Sequence, residues 1–476
     1  MSVPARSDFA DWLSPMLVKE LRQGVRSKIF MSAFYLTQAL MVLSVIFSLV
    51  SRGDGSNSNE TFGFLNGLFW FMIGVPLIFL MPLRGFGSLY GEIKAGTLEL
   101  VFLTRLSALR IAAGKWTALM VQTLLLVSAV LPYVLLRYFL GGVNVVDDLQ
   151  GLFFLLLASG MLTAATIALS PYESKILRAL FSVGMIFGFL FLLGTMLAFV
   201  SSRAMMGSGG GSPFPGLPYL GAALFTPAFI FLCLEIAASH IAPPAENHAL
   251  RKRLTGVYLF LAATLLIILG AEPAPTMGFA MLLLTVVVID ALAEPHQFVR
   301  SVHRPFLTRG VLGRFAALWL TPGWVTASWF VGLLTVFGGA LLWLQGQTDD
   351  PNETLTHMAY VGWLIFPAAM IRLWAPSTKY FLGLYIALQF FFAVLTLLVS
   401  LMASISREPL TLWISPLPPC GFWLAVFDQV KSDQTTEFLI VTGLVTAASL
   451  GILLARTITP LRDIRKALGQ TVRQDA

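Results

Sequence analysis

Apolar residues occupy this chain in long blocks, not in strand-like alternation. Twelve runs stand out, at approximately 30–51, 61–83, 116–140, 151–170, 176–200, 218–240, 254–271, 276–293, 322–345, 357–373, 379–405 and 436–456. Each approaches the roughly 20 residues that cross about 30 Å of hydrocarbon as a helix. Backbone groups in lipid must be satisfied within their own segment, which selects helix over open strand. The pattern predicts an all-α fold, a polytopic membrane helical bundle of about 12 transmembrane helices.

Composition agrees: 57% of the 476 residues are hydrophobic and 12% are charged, against about 25% charged in soluble chains. The net charge of +7 is better explained by topology than by nucleic acid, because the basic residues fall in short segments between apolar runs. With the N-terminus inside, every Lys and Arg except Arg52, Arg137, Arg203, Arg407 and Lys431 lies on the cytoplasmic side. An even number of spans then places both termini in the cytoplasm. The first 29 residues lack an apolar core before a small-residue cleavage site, so no cleavable signal is expected.

Outer connections collect acids and turn formers, as in RGDGSNSNE at 52–60, Asp147 and Asp148, GSGGGSPFPG at 207–216 and QTDDPNE at 347–353. Near the N-terminus, SPMLVKELRQGVRSKIF at 14–30 opens with Ser14 as N-cap and Pro15 at the first helical position. Leu17, Leu21, Val25 and Ile29 recur at helical spacing, with Lys19, Arg22 and Arg26 largely elsewhere on the wheel. Such a helix lies along the inner leaflet with its cations at the lipid phosphates; the alternative is a soluble cap packed on the loops.

The longest early inner connection spans residues 84–115. Long, patterned connections are usually functional. Thr97 can cap a short helix with Glu99 in its first turn, Ser107 can cap the helix entering the third span, and Gly96 gives freedom to bend between them. Glu92, Lys94 and Glu99 are expected to be available to water or a partner. A segment held beneath two spans can transmit a push; equally, it can be a self-capped hairpin resting on the membrane.

Catalytic chemistry is not assembled by these residues. Gly114-Lys115 is followed by Trp116 and lacks the glycine spacing of a phosphate-binding loop. The five histidines are scattered over loops without zinc-ligand spacing, and Cys233 and Cys420 form neither a disulfide framework nor a metal site. Glu235, inside an apolar run, is the candidate intramembrane polar site, with Asp290 near the inner end of another run. Pairing of Glu235 with a loop cation competes with a transport role. A gradient-driven secondary transporter usually needs more buried acids or broken helices.

Glu92, Ala95-Gly96-Thr97-Leu98-Glu99, Leu103-Thr104-Arg105-Leu106-Ser107, Ile111 and Gly114-Lys115 resemble the signature between the second and third spans of type-2 ABC exporter permeases. Val18-Lys19-Glu20-Leu21-Arg22, ahead of the first span, is similar too. Arg105 departs from the pattern, since the family commonly has Pro there. The resemblance implies a coupling helix docking on a separate nucleotide-binding ATPase subunit, with Glu92, Gly96, Thr97, Glu99, Thr104, Arg105 and Ser107 at the interface. It further implies an amphipathic elbow helix carrying Lys19, Glu20, Arg22 and Arg26 at the membrane surface. ATP and magnesium would then be bound by the partner, this chain holding no cofactor and performing no enzymatic step. Such a protein belongs in the bacterial cytoplasmic (inner) membrane.

The resemblance covers about the first 240 residues. Residues 1–253 read as one six-span module and 254–476 as a second, either a degenerate repeat of the first or a separate bundle: again a long inner loop at 294–321 and a Pro-rich stretch, SPLPPCGFW at 415–423, before the last span. EPHQFVRSVHRPFLTRG at 294–310 lacks the Gly-Thr-Leu-Glu signature. One polypeptide would supply both modules if the repeat is true; otherwise the chain forms a homodimer or recruits a second permease. The expectation is a permease subunit of an ATP-driven exporter, with a gradient-driven carrier or a non-transporting membrane scaffold as alternatives.

Overall fold

A computed structural model of the chain describes residues 15–53, 59–96, 106–140, 144–172, 178–179, 182, 217–243, 245–271, 273–296, 299–307, 310–345, 351–376, 378, 380–406, 414, 417–426 and 435–474. Every regular element among them is helical. Among the described residues, eight helical stretches are long and apolar enough to cross a membrane: Lys28–Val50, Leu65–Lys94, Ala108–Phe139, Val145–Leu169, Tyr219–Ile241, Thr276–Ala293, Phe381–Ala403 and Ile440–Arg462. The expected run at 176–200 falls almost wholly outside the described residues. The runs at 254–271, 322–345 and 357–373 coincide with the helices His248–Ile268, Trp324–Gln345 and Pro351–Trp374; Gly310–Leu320 and Trp324–Gly338 meet the same limits together, as a bent pair.

The chain divides into two compact units, Met1–Ala242 and Pro243–Ala476. Lys252 and Arg253, at the end of the first expected module, therefore belong with the second unit.

The first unit begins with α1 (Pro15–Val25) and α2 (Lys28–Gly53), followed by α3 (Asn59–Gly74). A π-helical turn at Val75–Leu80 and the short helices Met81–Leu83, Gly85–Ser88 and Tyr90–Lys94 continue α3 toward its basic end. Pro76 and Pro82 interrupt the regular hydrogen-bond ladder there. The freed groups find partners on a neighbour: Ser159 donates to the Leu77 carbonyl (2.6 Å), and Ser170 accepts from the Leu89 and Tyr90 amides (3.0 and 3.1 Å) while donating to the Phe86 carbonyl (2.9 Å). Irregular backbone within a membrane bundle persists only with such protein partners.

Next come α4 (Ala108–Leu140), α5 (Val145–Leu169), which supplies Ser159 and is followed at once by Ser170, and α6 (Leu217–Ile241). Asn144 caps α5 by accepting from the Val146 amide at 3.0 Å. Phe69, Ile73, Leu77, Leu126, Val130 and Leu152 form one buried cluster. Leu89, Ile111, Ala112, Ile167 and Ala237 form another toward the basic end. Long spans here expose large apolar side chains, such as Ile46 and Phe47 on α2, as a lipid-facing surface requires.

The second unit contains α7 (His248–Ile268), α8 (Pro273–Ala293), α9 (Arg300–Leu307), α10 (Gly310–Leu320), α11 (Trp324–Gln345), α12 (Pro351–Trp374), α13 (Phe381–Ser406), α14 (Pro418–Val426) and α15 (Thr435–Gln474). Leu364, Ile365 and Ala368 of α12 pack with Val288 and Leu292 of α8, Ala327 and Val331 of α11, Tyr385 of α13 and Leu453 of α15. Gly362 leaves no room for a side chain, because Thr446 and Pro418 occupy that space. Where the sequence suggests one inner loop at 294–321, the structure builds α9 and α10, so the connection is mostly helical.

Candidate functional site

The site is built where α1 meets the basic ends of the second span and α4. Lys19 and Arg22 of α1, and Arg26 just after it, are exposed, whereas Leu21 is buried and Glu20 is half-buried. Leu21 follows the expected apolar stripe, but Ile29 of the same stripe is 58% exposed, because a break after Val25 puts it at the start of α2. Gly24 makes the close approach of α1 to α4 feasible, since a Cβ there would meet the Gln122 amide. Arg84 donates to Gln122 Oε1, to the Gly24 carbonyl (3.3 Å) and to Ser27 Oγ (3.2 Å), clasping the junction of α1 and α2.

Lys115, whose side chain is 4% exposed, sits at the centre of a three-residue ion cluster. Its Nζ lies 3.2 Å from Glu20 Oε1 and 2.8 Å from Glu92 Oε1. One cation thus ties the surface helix, the end of the second span and the first turns of α4. Glu92 was expected to be available to water or a partner; instead it is turned inward toward Lys115, because a buried ammonium requires carboxylate compensation. Arg178 stacks over the Tyr90 ring at 4.3 Å and donates to the Ser170 and Tyr172 carbonyls (3.1 and 2.6 Å), closing the same corner.

Gly96 is exposed beyond Ala95, with φ of +66° and open space around its Cα. That left-handed conformation favours glycine and turns the chain sharply out of the second span. Ser107 is exposed, and its carbonyl accepts from the Ile111 amide as α4 begins. Thr97, Glu99, Thr104 and Arg105 lie outside the described residues. The structure therefore brings Glu20, Glu92 and Lys115 together, while Gly96 and Ser107 flank the connection.

Glu235 is fully buried on α6. His240, near the end of that helix, engages the Ile236 carbonyl through Nδ1 at 2.8 Å and packs against the Tyr172 ring. At the opposite end of the first unit, Arg137 pairs with Asp148 (3.2 Å), bonds Asn66 (2.8 Å) and lies 3.7 Å from the Phe69 ring centre. These contacts explain Arg137 and Asp148 as structural anchors.

In a larger cluster of the second unit, the sequence singles out Asp290 but not its partners. Lys252 Nζ lies 2.6 Å from Asp290 and 2.7 Å from Glu294, and Arg253 lies 3.1 Å from Glu294. Arg253 also donates to the Trp319 carbonyl (2.6 Å), Thr326 Oγ1 (3.1 Å) and the Gly323 carbonyl (3.2 Å). Glu294 accepts from the Gly323 amide through its side chain and from the Trp324 amide through its carbonyl. Burial works to raise the Glu294 pKa, yet Lys252, Arg253 and the Gly323 amide hold it below the usual carboxylate range. Adjacent cations at 252–253 and acids four apart at 290 and 294 were the available signal, since i,i+4 positions share a helix face.

Among the described residues, no group of three or more His, Cys, Asp and Glu side chains is placed to hold a metal ion. The first-unit geometry ties α1, the end of the second span and α4 together at one buried cation, Lys115. Comparison of the chain with protein-family models, curated proteins and solved structures returned no match.

Proposed function

We propose that this chain is the transmembrane permease subunit of an ATP-driven exporter in a bacterial cytoplasmic membrane, powered by a separate nucleotide-binding ATPase subunit. The observation that carries the proposal is the Lys115 cluster. It joins an amphipathic surface helix to both ends of the 84–115 connection, so that a force applied at residues 97–105 reaches the second span, α4 and α1 together. The left-handed Gly96 supports the same reading by ending the second span in a turn that glycine favours.

In this scheme the twelve expected spans place both termini in the cytoplasm. The partner binds ATP and magnesium, closes around them, and pushes the connection. Thr97, Glu99, Thr104, Arg105 and Ser107 meet the partner. Glu92 acts inside the chain, transmitting the displacement through Lys115. Lys19, Arg22 and Arg26 hold α1 at the lipid phosphates. Switching between inward and outward access is then a tilt of packed helices about a fixed polar hub.

A second reading, a gradient-driven carrier, is favoured by the buried Lys252, Asp290 and Glu294 cluster. Those groups compensate one another in charge and lie at the helix ends, which suits a structural lock better than a midplane relay.

The test is affinity isolation from native membranes followed by ATPase assay, with wild type beside a Gly96→Trp, Glu99→Arg double variant. The expected result is a co-purifying ATPase that the double variant loses while still eluting as a monodisperse protein. Absence of ATPase from both preparations, together with proton- or sodium-driven uptake abolished by Asp290→Asn, would overturn the proposal in favour of the carrier.

A further inference from the structure

Helix α10 ends in a sharp corner. Gly310–Leu320 and Trp324–Gly338 are bent by 95° across Thr321-Pro322-Gly323. Gly323 adopts φ of +117°, and a Cβ on it would come within 3.1 Å of His296 Nδ1, so the corner requires glycine. The charged cluster described above fastens it: Arg253 holds the Trp319 carbonyl on the α10 side, and Glu294 holds the Gly323 and Trp324 amides on the α11 side. Thr326 adds a bond to the Thr321 carbonyl at 2.6 Å.

This corner sits level with the first residues of α7 and the last residues of α8, where Lys252, Arg253, Asp290 and Glu294 meet. Charge clusters of this kind mark the end of the apolar zone of those helices. A helix leaving α11 there at nearly a right angle runs along the boundary of that zone instead of through it.

The surface of α10 is unusual for such a position. Val311 and Leu312 are 82% and 83% exposed, and Phe315 is 53% exposed. These side chains recur at helical spacing, and Phe315 packs edge-on against Trp319 with ring centres 4.5 Å apart. Tryptophan is enriched at membrane interfaces, where an apolar ring and a polar N–H are both accommodated. Basic residues gather just upstream in the sequence, at Arg300, Arg304 and Arg309. Apolar side chains are exposed again farther along α11, at Val336 and Phe337, beyond a mostly buried stretch.

From this arrangement we infer that α10 is an in-plane membrane anchor: Val311, Leu312 and Phe315 insert into the acyl-chain boundary of the bilayer, and α10 is held level by the corner. Its occupant is lipid, as the position of the corner at the end of the spanning helix α8, the interfacial Trp319 and the exposed Arg304 just upstream in the sequence support. The anchor gives the second unit a surface helix of its own, in the connection between α8 and α11. It is independent of what drives transport.

The experiment is spin-label accessibility on the full chain reconstituted in phosphatidylcholine/phosphatidylglycerol vesicles. Cys233 and Cys420 are first replaced by Ser, and single cysteines are then placed at Val311, Leu312 and Phe315, with Leu282→Cys as the lipid-facing reference and Glu246→Cys as the aqueous reference. The inference expects oxygen collision rates at the three sites close to those at residue 282, with collisions by a water-soluble nickel complex several-fold below those at residue 246. Nickel-complex collisions equal to residue 246 would mark an aqueous face suited to a protein partner and overturn it. Exclusion of both reagents would mark burial under protein and overturn it as well. Because cysteine at an exposed site perturbs packing little, a monodisperse elution profile suffices to verify the fold of each variant.

Discussion

Both units bury ion clusters at helix ends, yet they are wired differently. In the first unit a single cation, Lys115, is shared by Glu20 and Glu92, each about a fifth exposed at the side chain. In the second, two cations and two acids close on themselves, and Arg253 is further tied to three backbone or hydroxyl oxygens. The compensated cluster fixes a corner between helices. The three-member cluster links α1, the end of the second span and α4, and its two acids remain partly open to water. The difference teaches that a buried charge can rigidify or transmit, according to how many other bonds its partners make.

The largest expected effect separates the two clusters. Arg253→Met leaves Glu294 with one cation fewer and frees the Trp319 and Gly323 carbonyls, so destabilisation on the order of 3–5 kcal/mol is expected. Thermal unfolding of the purified chain, followed by loss of monodisperse protein on heating, measures it. Lys115→Met is expected to cost less, about 1–3 kcal/mol, because water reaches Glu20 and Glu92, while stimulation of a bound ATPase is lost disproportionately. Equal stability losses in the two variants would erase the contrast.

A smaller, pH-dependent effect sharpens it. Glu294 has a folded-state pKa below its ordinary value of 4.5. Its stabilisation is therefore fully present above pH 4.5 and fades as pH falls through the depressed folded value, since the unfolded chain binds the proton first. Unfolding free energies measured from pH 6 downward are expected to fall below pH 4.5 with a slope of at most about 1.4 kcal/mol per pH unit from this group. Glu294→Gln should flatten that portion of the profile and lower the plateau above it.

Much of the architecture was legible because lipid imposes a simple rule on sequence. Apolar runs such as 30–51 and 116–140 became α2 and α4, and the alternation of Leu21 with Lys19 and Arg22 correctly divided the faces of α1. The candidate site was legible in part. Glu20, Glu92 and Lys115 were each singled out, but their convergence was not, and Glu92 was expected to face outward. Lys115 lies far from Glu20 in sequence, and no local spacing expresses a contact that depends on α1 folding back over α4. The same holds for Lys252 and Asp290, 38 residues apart.

By itself the sequence determined the helical class, the apolar lengths that suit a bilayer and the amphipathic character of α1, because these follow from local hydrophobicity and backbone hydrogen bonding. Tertiary structure alone decided which carboxylate meets which cation and that Arg253 and Glu294 hold a 95° corner. Ionic and hydrogen-bonded partnerships depend on distances of a few ångströms between segments remote in the chain. Only the packed helices set those distances.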